Sequence, residues 1–414
     1  MYISNMVKVY SYYSRLWNNN GSTSNVPMVN SINQVVKSGY SNTESSSSTA
    51  NNMSRLTSAL TLKKDAEDLV NSAKKITNNT NSGTFAQKSA SSEDSTKVTA
   101  TAENGVYNTV YQIKVDQIAT AQVNTGGAVD KNQISSVQAG TNTITIAAAG
   151  KSKDISFSVT AGDSNEAVLN KMAKAINDSQ AGVKAVVVKN SSNNNINLQL
   201  TSDKTGTNNI FSITDKTGNA VASTGIDNIS SKAVDAKYEI NNVSYTANSN
   251  DVTTDRGRVT FTLKNSTTEA VKVTVKQDSS KIAEDINDFV ESYNNLIEAT
   301  NSNGMNNSNA LKGITSLIDR NKSSLEKMGI TINEDHTLSV DNKKLNDKIE
   351  NDIKTVKDTF NGYQRVAVKI EYYSDSIARN PFTAAGVNIL DVYNKSLIAS
   401  YSYINEGSIL NLYR

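Results

Sequence analysis

The chain has 414 residues, 37% hydrophobic and 20% charged, enough for two or three domains because single cores stop growing near about 250 to 300 residues. Lys and Arg number 42 against 40 Asp and Glu, for a formal net charge of +2, and without a basic cluster there is no electrostatic footprint for a nucleic-acid partner. With no cysteine and a single histidine, His336, disulfides, thiolate catalysis and the common structural zinc sites are excluded, and no apolar run reaches the roughly 18 residues of a membrane span.

The first segment, 1–52, reads as a flexible polar lead. It carries Tyr2, Tyr10, Tyr12, Tyr13 and Trp17 but lacks the basic start, apolar middle and cleavage site of a secretory signal, and it turns Asn- and Ser-rich from residue 18. Residues 53–79 then set Ala59, Leu62, Ala66, Leu69, Ala73 and Ile76 at alternating spacings of three and four, the seam of a coiled coil whose small residues permit close approach.

The period changes from residue 80. Tyr111, Ile113 and Val115 alternate as in a half-buried strand, and Ile144, Ile146, Ile155, Phe157 and Val159 repeat the pattern around a Gly-containing turn, predicting hairpins. "DSNEAVLNKMAKAIND" predicts a short helix capped by Asp163, with Glu166 completing a capping box. "VKAVVVKN" and "INLQLTS" are again strands, and 233–278 reads as a four-stranded meander with turns at Asn241-Asn242, Arg256-Gly257 and Asn265-Ser266.

A second seam follows: Ile282, Ile286, Phe289, Tyr293 and Leu296 recur at four and three. Two seams flanking one β-rich block imply an α+β chain. Its terminal segments pair antiparallel as a helical, coiled-coil-like stalk, and a head is inserted between them. The expected divisions are the stalk helix 53–79, an outer head module made of 80–129 and 229–278, an inner module 130–228 nested within it, and helices over 279–414. Further apolar stripes are Leu345, Ile349, Ile353, Val356 and Phe360, and Leu390, Tyr393, Leu397, Tyr401 and Ile404.

Chemistry is sparse. Asp203-Lys204-Thr205-Gly206-Thr207 reproduces the pentapeptide around the phosphorylated aspartate of P-type ion pumps, but Asn208 and Asn209 depart from the pump pattern, and a Gly-containing turn after a strand is the simpler reading. His336 sits in a polar turn without a second metal ligand or a triad partner. Asp65, Glu67, Asp68, Glu284, Asp285 and Asp288 fall on the polar faces of the seam helices, where solvation is the default. The residues with the clearest role are therefore Leu62, Leu69, Ile76, Ile282, Ile286, Phe289, Tyr293 and Leu296, which serve an intramolecular stalk core or a subunit interface.

Several motifs fall in one order. Val115, Gln117, Ile118, Ala119 and Gln122, then "NKMAKAIND" with "AGVKAVVV", then "LQLTSDKTGTNN", precede Ala233, Asp235, Ala236, Asn241, Asn250, Val252, Gly257 and Leu263. Phe289, Val290, Tyr293, Asn294 and Leu296 close the series. Together they resemble the bacterial flagellar filament-capping, or hook-associated protein 2, family over 85–300, and "LEKMGITINEDHTLSVDNKKLNDKI" extends the likeness to about 370. The sequence departs from the family at Asn242, where Gly is usual, and in its first 50 and last 45 residues.

The resemblance implies a non-enzymatic assembly factor without a cofactor. It implies an extracellular place at the distal tip of the flagellum, a ring-like homo-oligomer, flagellin subunits as partners, and export through the flagellar type III apparatus or its chaperones. Neither nucleic acid nor membrane is expected as a partner. A surface adhesin binding glycan or mucin through the head, and another axial component such as a hook-junction protein or minor flagellin, are the competing readings.

Overall fold

A computed structural model of the chain describes residues 47–302, 309–362 and 365–386; most of the expected polar lead and the stripe from Leu390 to Ile404 lie outside them. Helix α1 spans Ser47–Thr77, starting before residue 53, where the seam pattern had put it. Once a packed segment nucleates a helix, each added residue gains a hydrogen bond at the cost of fixing only itself, so the polar "SSTANN" continues the turn. A 3₁₀ turn at Thr84–Ala86, with Thr84 and Phe85 buried, leads into β1 (Lys88–Ser92), β2 (Val98–Ala102) and β3 (Thr109–Gln117).

The chain then builds an inner unit from β4 (Val123–Thr125), β5 (Val129–Asp130), β6 (Gly140–Ala148), β7 (Lys151–Val159), α2 (Asn165–Ser179), β8 (Val183–Lys189), β9 (Asn195–Ser202), β10 (Phe211–Thr217), α3 (Ala220–Thr224) and β11 (Ile229–Ser231). One sheet runs β10-β6-β7. In the other, β9 pairs with β4 and β5 along one edge and with β8 along the opposite edge, and β11 lies outside β4. Helix α2 buries Val168, Leu169, Met172 and Ile176 in the core these sheets share. Its cap is Ser164, which accepts the Ala167 amide, rather than Asp163. Asp163 is instead occupied by the Thr160 amide and Lys171, and Glu166 by Lys189, so no capping box forms.

The return passage is β12 (Ala236–Ile240), β13 (Val243–Ala247), β14 (Asp251–Thr254), β15 (Val259–Leu263) and β16 (Val271–Gln277). These five strands divide between two sheets, β1-β16-β3-β12-β13 and β14-β15-β2, so the expected single meander is corrected to a two-sheet outer unit. After the β12–β13 hairpin the chain crosses to the second sheet, and β16 comes back to lie between β1 and β3. Ile113, Tyr238, Val273 and Val275 of the first sheet share a core with Val98, Val259, Phe261 and Leu263 of the second. The hairpin turn needs φ > 0 at both central residues, and Asn241 (φ 52°) and Asn242 (φ 64°) supply it. Asn is the non-glycine residue that enters this region most readily, so Asn242 substitutes for the family's Gly without breaking the turn.

The two units exchange at a single antiparallel bridge, Thr120 with Val234. The module boundaries expected at 130 and 228 move outwards to that bridge because β4 and β11, on either side of them, pair inside the inner unit.

Below the head come α4 (Ser279–Ser302), α5 (Asn309–Arg320), α6 (Lys322–Glu326), the hairpin β17 (Ile330–Ile332) and β18 (Leu338–Val340), α7 (Asn342–Asn361), α8 (Val366–Arg379) and α9 (Pro381–Ala384). The fold is α+β: a helical stalk made by both terminal segments, carrying a β-rich head of two nested units.

Candidate functional site

The stalk core is assembled from distant parts of the chain. Leu62, Leu69 and Ile76 of α1 and Ile282, Ile286, Phe289, Tyr293 and Leu296 of α4 have no exposed area and belong to one cluster with Leu345, Val356 and Phe360 of α7 and Val366 and Ile370 of α8. The helices α1 and α4 run antiparallel: Lys75, near the end of α1, meets Asp285 and Asp288 in the first half of α4. All eight seam residues thus lie inside one chain, leaving none of these side chains on the described surface. Each buried large apolar side chain contributes roughly 1.5–3 kcal/mol, and the seam residues share this burial with the other members of the cluster.

Two neighbours in the same stretch hold the β17–β18 hairpin against α4. The Tyr293 hydroxyl donates to the His336 carbonyl at 2.9 Å, and burial pushes its phenol well above the usual tyrosine range. The Asn294 side chain donates to the Leu338 carbonyl (2.9 Å) and accepts the Leu338 amide (2.7 Å), reproducing the pairing a neighbouring strand would give. His336 contributes its backbone: it sits at φ 65° in the hairpin turn, and its exposed imidazole lies 4.0 Å from Asp319.

The stalk meets the head at Asp285. The polar face assigned to it from the sequence is corrected: Asp285 is 3% exposed. Its carboxylate pairs with Lys75 and accepts from the Thr84 hydroxyl at 2.8 Å and from the Gln87 side-chain amide. That bond to Asp285 raises the Lys75 ammonium above the usual lysine range. Alongside, the Gln277 side chain donates to the Phe85 carbonyl (2.9 Å), and the Asp278 amide to the Gln87 carbonyl (3.1 Å). The strand leaving the stalk and the strand returning to it are thereby fastened side by side. No periodicity announces Asp285, because Thr84 and Gln87 lie some two hundred positions away.

The remaining sequence candidates are separate from this junction. Asp203 is exposed, and its pentapeptide forms a turn with Gly206 at φ 86°. Among the described residues no group of three His, Asp or Glu is placed to hold a metal ion, and no helix is long and apolar enough to cross a membrane. What the site offers is a packed helical core and a hydrogen-bonded junction to the head.

The flagellar hook-associated protein 2 N-terminus model matches residues 27–122, and the C-terminus model matches 233–315 and 305–398. The matched stretches break off at 122 and resume at 233, within two residues of the Thr120–Val234 bridge, so the inner unit falls in the gap between them. They also enter both terminal segments that looked atypical in the sequence. The flagellar hook-associated protein 2 of Salmonella typhimurium is 30% identical over 184 residues, 42% of this chain and 38% of that protein. The A-type protein of that name from Pseudomonas aeruginosa is 25% identical over 332 residues, 67% of this chain and 66% of that protein. The chain therefore spans between about two fifths and two thirds of these relatives' lengths. The crystal structure of the D1-D2-D3 domains of the flagellar cap protein FliD from Escherichia coli aligns with a TM-score of 0.56 at 25% identity, covering 78% of this chain and 96% of that one. On a likeness that runs through stalk and head in the same order, the chain belongs to the flagellar hook-associated protein 2 family.

Proposed function

We propose that this protein is a flagellar filament cap: a non-enzymatic factor that sits outside the cell at the distal tip, retains exported flagellin and promotes its polymerisation. The observation that carries the reading is the likeness to the D1-D2-D3 flagellar cap structure over 78% of the chain. The partners are flagellin subunits and further copies of the chain in a ring, delivered through the flagellar type III export apparatus or a chaperone, with no role for nucleic acid or membrane. A chain without cysteine suits passage in an unfolded state, because oxidation cannot trap it on the way. In this reading Leu62, Leu69, Ile76, Ile282, Ile286, Phe289, Tyr293 and Leu296 act by keeping the stalk packed, and the head supplies the contact surfaces.

The test is complementation of a strain lacking the gene, scoring filament length and flagellin lost to the medium, with immunogold labelling of intact cells. Label at filament tips and restored filaments are expected. Label along the shaft or at its base would replace the cap by another axial component. Normal filaments with lost binding to glycan or mucin would replace it by an adhesin.

A further inference from the structure

The pump-like pentapeptide has a structural use. The inner unit is joined to the outer one by the two crossings at Thr120 and Val234, where the Thr120 amide donates to the Val234 carbonyl at 2.9 Å and the Val234 amide donates back at 3.3 Å. A two-stranded ribbon of this kind leaves bending and twisting open. A third contact closes it. The turn after β9 reaches back from the inner unit, so that the Gly206 amide donates to the Thr120 carbonyl at 2.9 Å. The Thr207 amide and hydroxyl each donate to one oxygen of the Asp235 carboxylate, at 2.7 and 2.8 Å. Beside them the Thr205 hydroxyl donates to the Asn248 carbonyl of the outer unit at 3.0 Å. Gly206 is required on two counts: its φ is 86°, and a Cβ there would stand 2.4 Å from the Asn248 oxygen.

The geometry points to a latch: Asp235 of the outer unit grips Thr207 of the inner unit and fixes the angle between the two halves of the head, and without that grip the inner unit swings about the Thr120–Val234 ribbon. A carboxylate fits this task because its two oxygens take two donors of one residue at once, and ionised acceptors make the stronger hydrogen bonds. The turn holds its own shape through the Asn209 side chain on the Thr205 carbonyl (2.7 Å) and the Ser202 hydroxyl on the Asn209 carbonyl (2.6 Å). It therefore meets Asp235 as a preformed piece rather than a floppy loop. The latch is a property of the folded chain and is independent of what the head contacts.

Spin labels on the full chain read the angle directly, and the absence of native cysteine makes the two introduced thiols the only ones. With labels at S158C on β7 and T246C on β13, both exposed, the parent protein gives one narrow distance distribution. Asp235→Ala widens it at least twofold while the far-UV spectrum is unchanged, and Asp235→Asn, which keeps one acceptor and gains a donor for the Thr207 hydroxyl, stays close to the parent. Gly206→Ala widens it by wedging the turn off Asn248. An unchanged width in a folded Asp235→Ala protein overturns the latch. Should that variant lose its native spectrum, Thr207→Pro decides, since it removes the amide and hydroxyl donors together at the exposed first position of a 3₁₀ turn, which proline tolerates: a wider distribution supports the latch and the parent width refutes it.

Discussion

Phe289 of α4 and Phe360 of α7 meet edge to face, with ring centroids 5.9 Å apart at 87° and neither ring exposed. The contact joins the helix that descends from the head to one that lies more than fifty positions further along the chain, both within the stalk core. Removing a ring there leaves a cavity that the surrounding helices cannot fill. Phe289→Ala is expected to cost about 3–5 kcal/mol, and Phe289→Asp more, since it also buries an unpaired carboxylate. Urea unfolding checks both, and in complementation the Asp variant restores no filaments. A Phe289→Asp protein of parental stability would remove the stalk core from the account of function.

The joint at Asp285 makes a prediction of a different shape, because its partners are unequal. Asp285→Ala leaves a buried hydroxyl and a side-chain amide without their acceptor, and leaves Lys75 only the more distant Asp288 as counter-charge. Lys75 is half exposed and can turn to water, so the expected loss is about 2–3 kcal/mol, below that of a fully buried ion pair. Lys75→Ala removes only the solvent-facing partner and should cost about 1 kcal/mol or less. Equal losses for the two variants in denaturant titrations would mean that the ion pair, rather than the hydrogen bonds to Thr84 and Gln87, holds the joint.

The contrast between seam and joint explains what could be read in the sequence. A packed helix face has one period, so Leu62, Leu69 and Ile76 are visible as a stripe, and β6 and β7 are visible because one face of each is buried and the other wet. The strands β1 and β2 escape notice because "KSASS" and "VTATA" carry a single larger apolar residue, Val98, between them. Helix α8 hides for a related reason: Ser374, fully buried, interrupts the run from Val366 and Ile370 to Ile377. Asp285 and the Thr120–Val234 crossing depend on pairs more than a hundred positions apart, and local pattern carries no information about such pairs. Ser164 and Asp163 are both good caps, and only the competing claim of Thr160 and Lys171 on Asp163 decides between them.

Acid should loosen α7 at a defined place. Asp352 breaks the helical dihedrals at φ −152° and acts as a cap for the second half of the helix, accepting the Thr355 amide at 3.2 Å and pairing with Lys348 at 2.7 Å. Bonds from Lys348 first, then from Thr355, hold its carboxyl down at about 2, below the roughly 3.9 of an unfolded chain. A carboxyl depressed on folding stabilises the native state above its unfolded value, and that stabilisation is lost as pH falls towards the folded value. The melting temperatures of the parent and Asp352→Ala should therefore differ most above pH 4 and converge as pH approaches 2. A gap that persists unchanged at pH 2 would assign the effect to something other than this carboxylate.

His336 separates a backbone role from a side-chain role. Its carbonyl receives the buried Tyr293 hydroxyl, and its φ of 65° places it in the left-handed region, while the imidazole itself is exposed. Asn enters that region with less strain than other non-glycine residues, so His336→Asn should lie within about 0.5 kcal/mol of the parent, as surface substitutions usually do. His336→Ala keeps the carbonyl but adopts the left-handed conformation less readily, for a loss of about 1 kcal/mol. His336→Gly should recover part of it. Stability measured by urea unfolding should thus rank Asn and Gly above Ala, and all three variants at normal protein level should restore filaments in the complementation strain. If the three instead lose function together while remaining folded, the imidazole is doing chemistry that the turn geometry does not explain, and the non-enzymatic reading falls with it.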